Sequence, residues 1–170
     1  MPKALDICVE FLKRYEGIKD GDTVKPGLQP YLCPAGVWTT GYGHAIVDPK
    51  TGEQLRGQEN KARAHELWPE ITLQESHTLL IADTAEFVES VTAKLKVEPE
   101  PCQLAALTSF AFNIGLGAFS SSTALQYTNE GNPRLARAAM LLFSKVNGKP
   151  NVGLLARRYE EAKLHEGLYR

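Results

Sequence analysis

Three side chains near the start of the chain can do chemistry: Glu16, Cys33 and His44. Cys33 and His44 are close enough in sequence to meet across a hairpin, and a Cys–His pair makes a thiolate nucleophile. Such a thiol is often set at a helix N-terminus, whereas Pro34-Ala35-Gly36 reads as a turn into a strand. Glu16 stands in Arg14-Tyr15-Glu16-Gly17, at the end of an expected helix. The partial negative charge there, and burial against Tyr15, are both expected to raise its pKa toward that of a general acid. A glutamate alone at such a place is also an ordinary solvated residue, so Glu16 needs partners before it carries a function. Gly41-Tyr42-Gly43 opens like a dinucleotide-binding loop, but the third glycine position is Ile46 and no β-α-β unit surrounds it.

The elements that must position these groups are legible in outline. Residues 2–16 carry Ala4, Ile7, Cys8, Phe11, Leu12 and Tyr15 at helical spacing, with Pro2 suited to a first turn and Gly17 to a C-terminal cap. Cys8 falls on that apolar stripe and reads as a small buried hydrophobe. Residues 17–60 are rich in Gly, Pro, Asp and Thr, with the short alternation Val37-Trp38-Thr39-Thr40, and predict a small antiparallel sheet or an irregular hairpin. Residues 53–70 are polar and give no clear assignment. Thr72-Leu73-Gln74-Glu75 is a capping box that opens a long helix to about Leu95. After Pro99-Glu100-Pro101, a very apolar segment predicts a central buried helix ending near Gly115 or Gly117. Shorter helices are expected at about 120–129, 132–146 and 153–165. The expectation is one α+β domain over 1–170: an N-terminal helix, a small β-containing lobe at about 17–70, and a larger helical lobe at about 71–170 packed with the first helix, with a cleft between the lobes.

Other classes are excluded by composition and spacing. The formal net charge of −1 offers no field for nucleic acid or an anionic membrane. Three cysteines without a C-x-x-C pair argue against a disulfide framework or a structural zinc site. His65-Glu66 begins like a zinc-protease motif, but Pro69 stands where the second histidine belongs. No cofactor or metal is expected. The first residues have charges among the apolar positions and no cleavage site, so neither a signal peptide nor a transmembrane segment is expected.

The strongest signal is a constellation. Glu16, a variable stretch, and then Tyr31-Leu32-Cys33-Pro34-Ala35-Gly36-Val37-Trp38-Thr39-Thr40-Gly41-Tyr42-Gly43-His44 closely resemble the phage-type lysozymes, the endolysins of glycoside hydrolase family 24. Their motif runs Tyr-x-[Asp or Cys]-x-x-Gly-x-x-Thr-x-Gly-Tyr-Gly-His. Ala106–Gly115 resembles the family's central helix, and Gly153-Leu154-Leu155-Ala156-Arg157-Arg158-Tyr159-Glu160-Glu161 its C-terminal signature. The resemblance covers nearly the whole chain and implies a lysozyme-like fold. It also implies a muramidase that cuts the β-1,4 bond between N-acetylmuramic acid and N-acetylglucosamine in peptidoglycan.

On that resemblance Glu16 would protonate the leaving oxygen, while Cys33, in the place many members give to aspartate, would position water with help from Thr39. Water attacking the face opposite the acid implies inversion. The equivalent of His44 reads as structural, bonded to a carboxylate or carbonyl. Trp38 has two readings, sugar stacking or core packing. Asn113 is a candidate partner for a sugar amide. Arg157 would contact acids of peptidoglycan or pair with Glu160 or Glu161. The competing enzyme class is a cysteine peptidase or amidase of peptidoglycan stems using Cys33 and His44. The resemblance implies a monomer that waits in the host cytoplasm, without a membrane anchor, a nucleic-acid partner or a separate wall-binding module. It would reach the wall through a holin lesion and lyse the host. One departure stands out: residues 17–32 form a longer link between Glu16 and Cys33 than is usual in the family.

Overall fold

The computed structural model describes residues 2–168. These residues form two compact units, residues 16–83 and residues 1–15 with 84–170, masked termini aside. Both boundaries fall within helices: α1, Pro2–Glu16, and α3, Leu73–Thr92.

The smaller unit carries a three-stranded antiparallel sheet in the order β1-β2-β3: Tyr31–Leu32, Trp38–Thr40 and His44–Ala45. Tyr31 pairs with Thr39, Leu32 with Trp38, Thr39 with Ala45 and Thr40 with His44. Strands this short cannot stand alone, so side chains on one side must be buried. Trp38, Ile46, Leu55 and Ala64 form that core, with Leu32, Leu67 and Trp68 packed against it. The polar stretch 53–70 resolves into a short 3-10 turn, Gln58–Asn60, and α2, Lys61–Leu67. Thr72 and Glu75 form the expected capping box: the Thr72 N–H donates to Glu75 at 2.7 Å, and the Glu75 N–H to Thr72 Oγ1 at 3.1 Å.

The larger unit is helical: α4 Pro101–Ile114, α5 Leu116–Ser120, α6 Thr123–Asn129, α7 Pro133–Leu141 and α8 Val152–His165. Every residue of α4 from Leu104 to Ala111 is buried, as a helix with so few polar positions requires. Leu107, Phe110, Phe119 and Met140 are completely enclosed. Cys8 is likewise fully buried; burial first, and then the Glu161 charge, push its thiol up to about 12, so it behaves as a hydrophobe.

The helix expected over 132–146 stops at Leu141. Two-residue strands follow, β4 Lys145–Val146 and β5 Lys149–Pro150, paired antiparallel. The reason is local: Asn147 and Gly148 both take positive φ, 50° and 75°, the geometry of the tightest hairpin turn.

A charged cluster is buried between α4 and α8. Ser109 donates to Glu161 Oε1 at 2.8 Å, Arg157 Nε to the same oxygen at 3.1 Å, and Arg158 Nε lies 3.1 Å from Glu161 Oε2. Burial pushes the Glu161 carboxyl up, and the two guanidinium groups pull it back. Such a cluster fixes register, because any shift of α8 along α4 would leave an enclosed charge unpaired.

His165 closes the same helix. It is 2% exposed, neither ring nitrogen has a hydrogen-bond partner, and burial, followed by the Arg137 charge, lowers its pKa to about 4. An unfolded histidine takes its proton near pH 6.5, before this one can, so His165 favours the folded state above pH 6.5. That contribution is lost as pH falls from about 6.5 to about 4 and amounts to roughly 3 kcal/mol at most. Denaturant melts of His165→Leu between pH 7 and 4 are expected to show a flatter pH dependence than those of the parent chain.

Candidate active site

Cys33 directly follows the strand Tyr31–Leu32. Its N–H donates to the Val37 carbonyl at 2.9 Å, and the Gly36 N–H donates to the Cys33 carbonyl at 2.8 Å. Pro34 sits first in the turn and Gly36 has a φ of 73°, which makes a tight turn followed by a one-residue bulge. Cys33 is therefore held at the mouth of a hairpin, half-buried, with no helix N-terminus behind it. Thr39 stands opposite Tyr31 on β2, 5% exposed, and its hydroxyl donates to the Tyr31 carbonyl at 3.2 Å. Glu16 is the last residue of α1, half-buried, and Gly17 follows with a φ of 60°.

The Tyr31 phenol registers all three neighbours. Burial raises its pKa above the usual value, and a hydrogen bond with the Thr39 side chain lowers it. The charges of Cys33 and then Glu16 raise it further. Glu16 and Cys33 therefore lie within electrostatic range of the phenol, and Thr39 stands directly opposite Tyr31 on the neighbouring strand. Tyr31 opens the sequence motif but has no reactive role in a reading by residue type, because its contribution lies in its position.

His44 is occupied. Its Nδ1 lies 3.0 and 2.9 Å from the two carboxylate oxygens of Asp83. This contact ties β3 to α3 within the small unit, and the Trp68 ring lies against the imidazole at 5.4 Å between centroids. The sequence implies a carboxylate or carbonyl partner for His44 but does not single out Asp83, which lies far along the chain and has no motif of its own. The Gly41-Tyr42-Gly43 segment is a turn, closed by the Gly43 N–H donating to the Thr40 carbonyl at 3.1 Å.

The remaining candidates are placed as follows. Trp38 is 3% exposed, donates its indole N–H to the Gly57 carbonyl at 2.7 Å and belongs to the small core, which accords with packing. In the helical unit, Arg157 is 5% exposed, bound to Glu161 and stacked over the Tyr15 ring at 5.4 Å. Of the two acids considered for Arg157, its ion pair is with Glu161. Asn113 is exposed, and its side-chain oxygen accepts from Arg158 Nη2 at 2.6 Å. That commitment leaves the Asn113 amide nitrogen as the group with donors to offer. Among the described residues, no cluster of His, Cys, Asp or Glu could hold a metal ion.

The long link before Cys33 is ordered rather than loose. The Asp20 carboxylate accepts the N–H groups of Asp22 and Gln29, each at 3.0 Å. Gly21 donates to the Gln29 carbonyl at 3.1 Å, and Leu28 pairs with Ile71 in a β-bridge. A Cβ at Gly21 would lie 2.0 Å from the Pro30 carbonyl oxygen, so only glycine allows the two backbone segments to approach.

Comparison with known proteins supplies context for this geometry. The family model described as "Phage lysozyme" matches residues 16–161. The endolysin of Bacillus phage B103 is 45% identical over 156 residues, 92% of this chain and 51% of that protein. The endolysin of Acyrthosiphon pisum secondary endosymbiont phage 1 is 34% identical over 91% of this chain and 92% of its own. Among solved structures, an endolysin from Escherichia coli O157:H7 phage FAHEc1 superposes with a TM-score of 0.71 at 28% identity, covering 100% of this chain and 95% of that one. The chain spans about half the length of the Bacillus phage relative or less: 51% for B103 and 36% for the similar phage PZA endolysin.

The turn after Thr39 gives a direct test of how the hairpin is held. Gly41 has a φ of 56°, and a Cβ there would lie 2.0 Å from Ser76 Oγ on α3. Gly41→Ala combines that clash with a left-handed backbone and is expected to destabilise the chain by about 2 kcal/mol in denaturant melts. Gly36→Ala, where nothing lies within 4 Å of the added carbon, is expected to cost only the backbone strain of about 1 kcal/mol.

Proposed function

The chain belongs to the phage lysozyme family, and on that premise we propose that it is an endolysin that hydrolyses the β-1,4 bond between N-acetylmuramic acid and N-acetylglucosamine in peptidoglycan. The observation that carries the assignment is the hairpin that sets Thr39 opposite Tyr31 and Cys33 at its mouth, within the same compact unit as Glu16. The whole chain acts as one lysozyme-like catalytic domain.

Glu16 is the general acid and gives its proton to the glycosidic oxygen as the bond to C1 breaks. The sugar develops oxocarbenium character, so a weakly activated water suffices as nucleophile. Cys33 and Thr39 hold that water on the opposite face. The proton lost by the water passes to Cys33 or to solvent. Asn113 donates its amide N–H groups to a carbonyl of the substrate's N-acetyl groups. No metal or cofactor takes part.

A second reading, thiol attack on a peptide stem with His44 as base, lacks the usual support for a thiolate: Cys33 sits at a hairpin mouth with no helix N-terminus behind it. The Asp83 contact at His44 Nδ1 is neutral between the readings, since a catalytic base is oriented in the same way. No helix of the described residues is long and apolar enough to cross a membrane. A relative of 29% identity, from Enterobacteria phage PA-2, carries the name SAR-endolysin. The release we propose for this chain is the other route: it acts as a monomer, stays in the host cytoplasm until a holin lesion opens, and then lyses the host.

Glu16→Gln is expected to reduce peptidoglycan cleavage at least a hundredfold, the usual cost of losing a general acid. Cys33→Asp is expected to retain or raise activity, because it restores the commoner water-orienting group. New reducing ends without new free amines are the product to measure. A dead Cys33→Asp beside an active Glu16→Gln would overturn the assignment.

A further inference from the structure

The family resemblance leaves the long link between Glu16 and Cys33 without a role. Its ordered segment forms one wall of a cavity of about 490 Å³ within the small unit. Asp22, Lys25, Tyr31, Trp38, Lys61 and His65 are among the lining residues. A volume of this size accommodates a ligand fragment of a few residues.

The electrostatics of the cavity favour an anion. Lys25 and Lys61 are both exposed lysines, and the one acid among those six residues, Asp22, is a partner to Lys25 at 3.6 Å. That pair is solvent-exposed and weakly held, so a ligand carboxylate can compete for the ammonium. After burial, the charges of Lys25 and then Lys61 lower the His65 pKa, and Asp22 opposes them. Two cations from different elements, the 17–30 link and α2, therefore act on one ring. Lys19 brings a third to the Tyr31 ring, its Nζ lying 5.7 Å from the ring centre. The neutral hydroxyls of a glycan give no reason for this excess of positive charge.

Tyr31 connects the cavity with the proposed site, since it lines the cavity, pairs with Thr39 across the sheet and stands two residues before Cys33. A substituent carried by a glycan at the active site would project beside Tyr31. In peptidoglycan the substituent is the peptide stem, which bears free carboxylates. We infer that the 20–30 wall builds a stem-binding subsite, in which Lys25 and Lys61 take the carboxylates of the peptide and the aromatic floor of Tyr31, Trp38 and His65 supports its backbone. The inference rests on the peptidoglycan reading for its ligand. The wall is rigid enough for the role because Asp20, Gly21 and the Leu28–Ile71 bridge fix it from behind.

The test is a titration of the full chain with the free tripeptide L-Ala-γ-D-Glu-diaminopimelate, followed by NMR. Saturable shifts are expected at Lys25, Lys61 and His65, with the His65 titration midpoint moving upward as an anion offsets the two ammonium charges. The double variant K25Q/K61Q is expected to lose both effects. Equal shifts from inorganic phosphate at the same concentration would mean unspecific anion attraction and overturn the inference, as would no shift at all. In parallel, the ratio of kcat/KM on stem-bearing glycan to that on stem-stripped glycan is expected to fall about fivefold in K25Q/K61Q, the size of losing two exposed ion contacts. An unchanged ratio would also overturn the subsite. If the parent chain cuts neither glycan, the glycosidase reading fails, and the tripeptide titration alone decides the subsite.

Discussion

The pairing of Tyr31-Leu32 with Trp38-Thr39 is the constraint on which the site depends. Two residue pairs set everything that follows, because side chains alternate along a strand and a slip of one position would send each to the wrong side. With Tyr31 opposite Thr39, the Thr39 hydroxyl reaches the Tyr31 carbonyl, and Cys33 emerges where the strand turns. The register is pinned from several directions. Gly36 and Gly41 supply the positive φ that the two turns demand. Trp38 anchors the middle strand through its buried ring and its bond to Gly57. His44 and Asp83 secure the third strand to α3. A sheet this small has little cohesion of its own, so each of these contacts carries a large share of its definition.

Where the pattern was strong in the sequence, the fold could be read from it. The apolar stripe of α1, the Thr72–Glu75 capping box and the uninterrupted apolar run of α4 each encode one local outcome, and each is found. The polar stretch 53–70 was illegible because α2 buries a single residue, Ala64, and so leaves almost no periodic signal. The hairpin after Leu141 was legible in Asn147-Gly148 but hidden by the helical pattern before it. In the proposed site, Glu16, Cys33 and Thr39 are marked by their match to the family's motif. The contributions of Tyr31 and Asp83 are not so marked, because they arise only when distant segments are brought together. The charged signature near the C-terminus shows the same limit. Arg157, Arg158 and Glu161 are prominent in sequence, and the structure encloses them as the clamp between α4 and α8.

The proposed chemistry explains why a cysteine can stand where a carboxylate is commoner. When the transition state has oxocarbenium character, the acid does the larger part of the proton transfer, and water needs orientation more than it needs a strong base. A cysteine whose backbone is held by two hydrogen bonds, beside a threonine fixed by its strand partner, supplies orientation. It also carries a hazard, since sulfur is an intrinsically better nucleophile toward carbon than oxygen is. A sulfur that reached C1 would form a thioglycoside and change the stereochemical course.

That distinction gives the sharpest test of the account. The anomeric configuration of the newly formed reducing end can be followed by proton NMR in the first minutes of digestion, before mutarotation. Water held by Cys33 and Thr39 on the face opposite Glu16 predicts inversion, with the α-anomer appearing first from the β-1,4 bond. Initial appearance of the β-anomer would mean retention through a covalent intermediate, and would contradict the role assigned to Cys33.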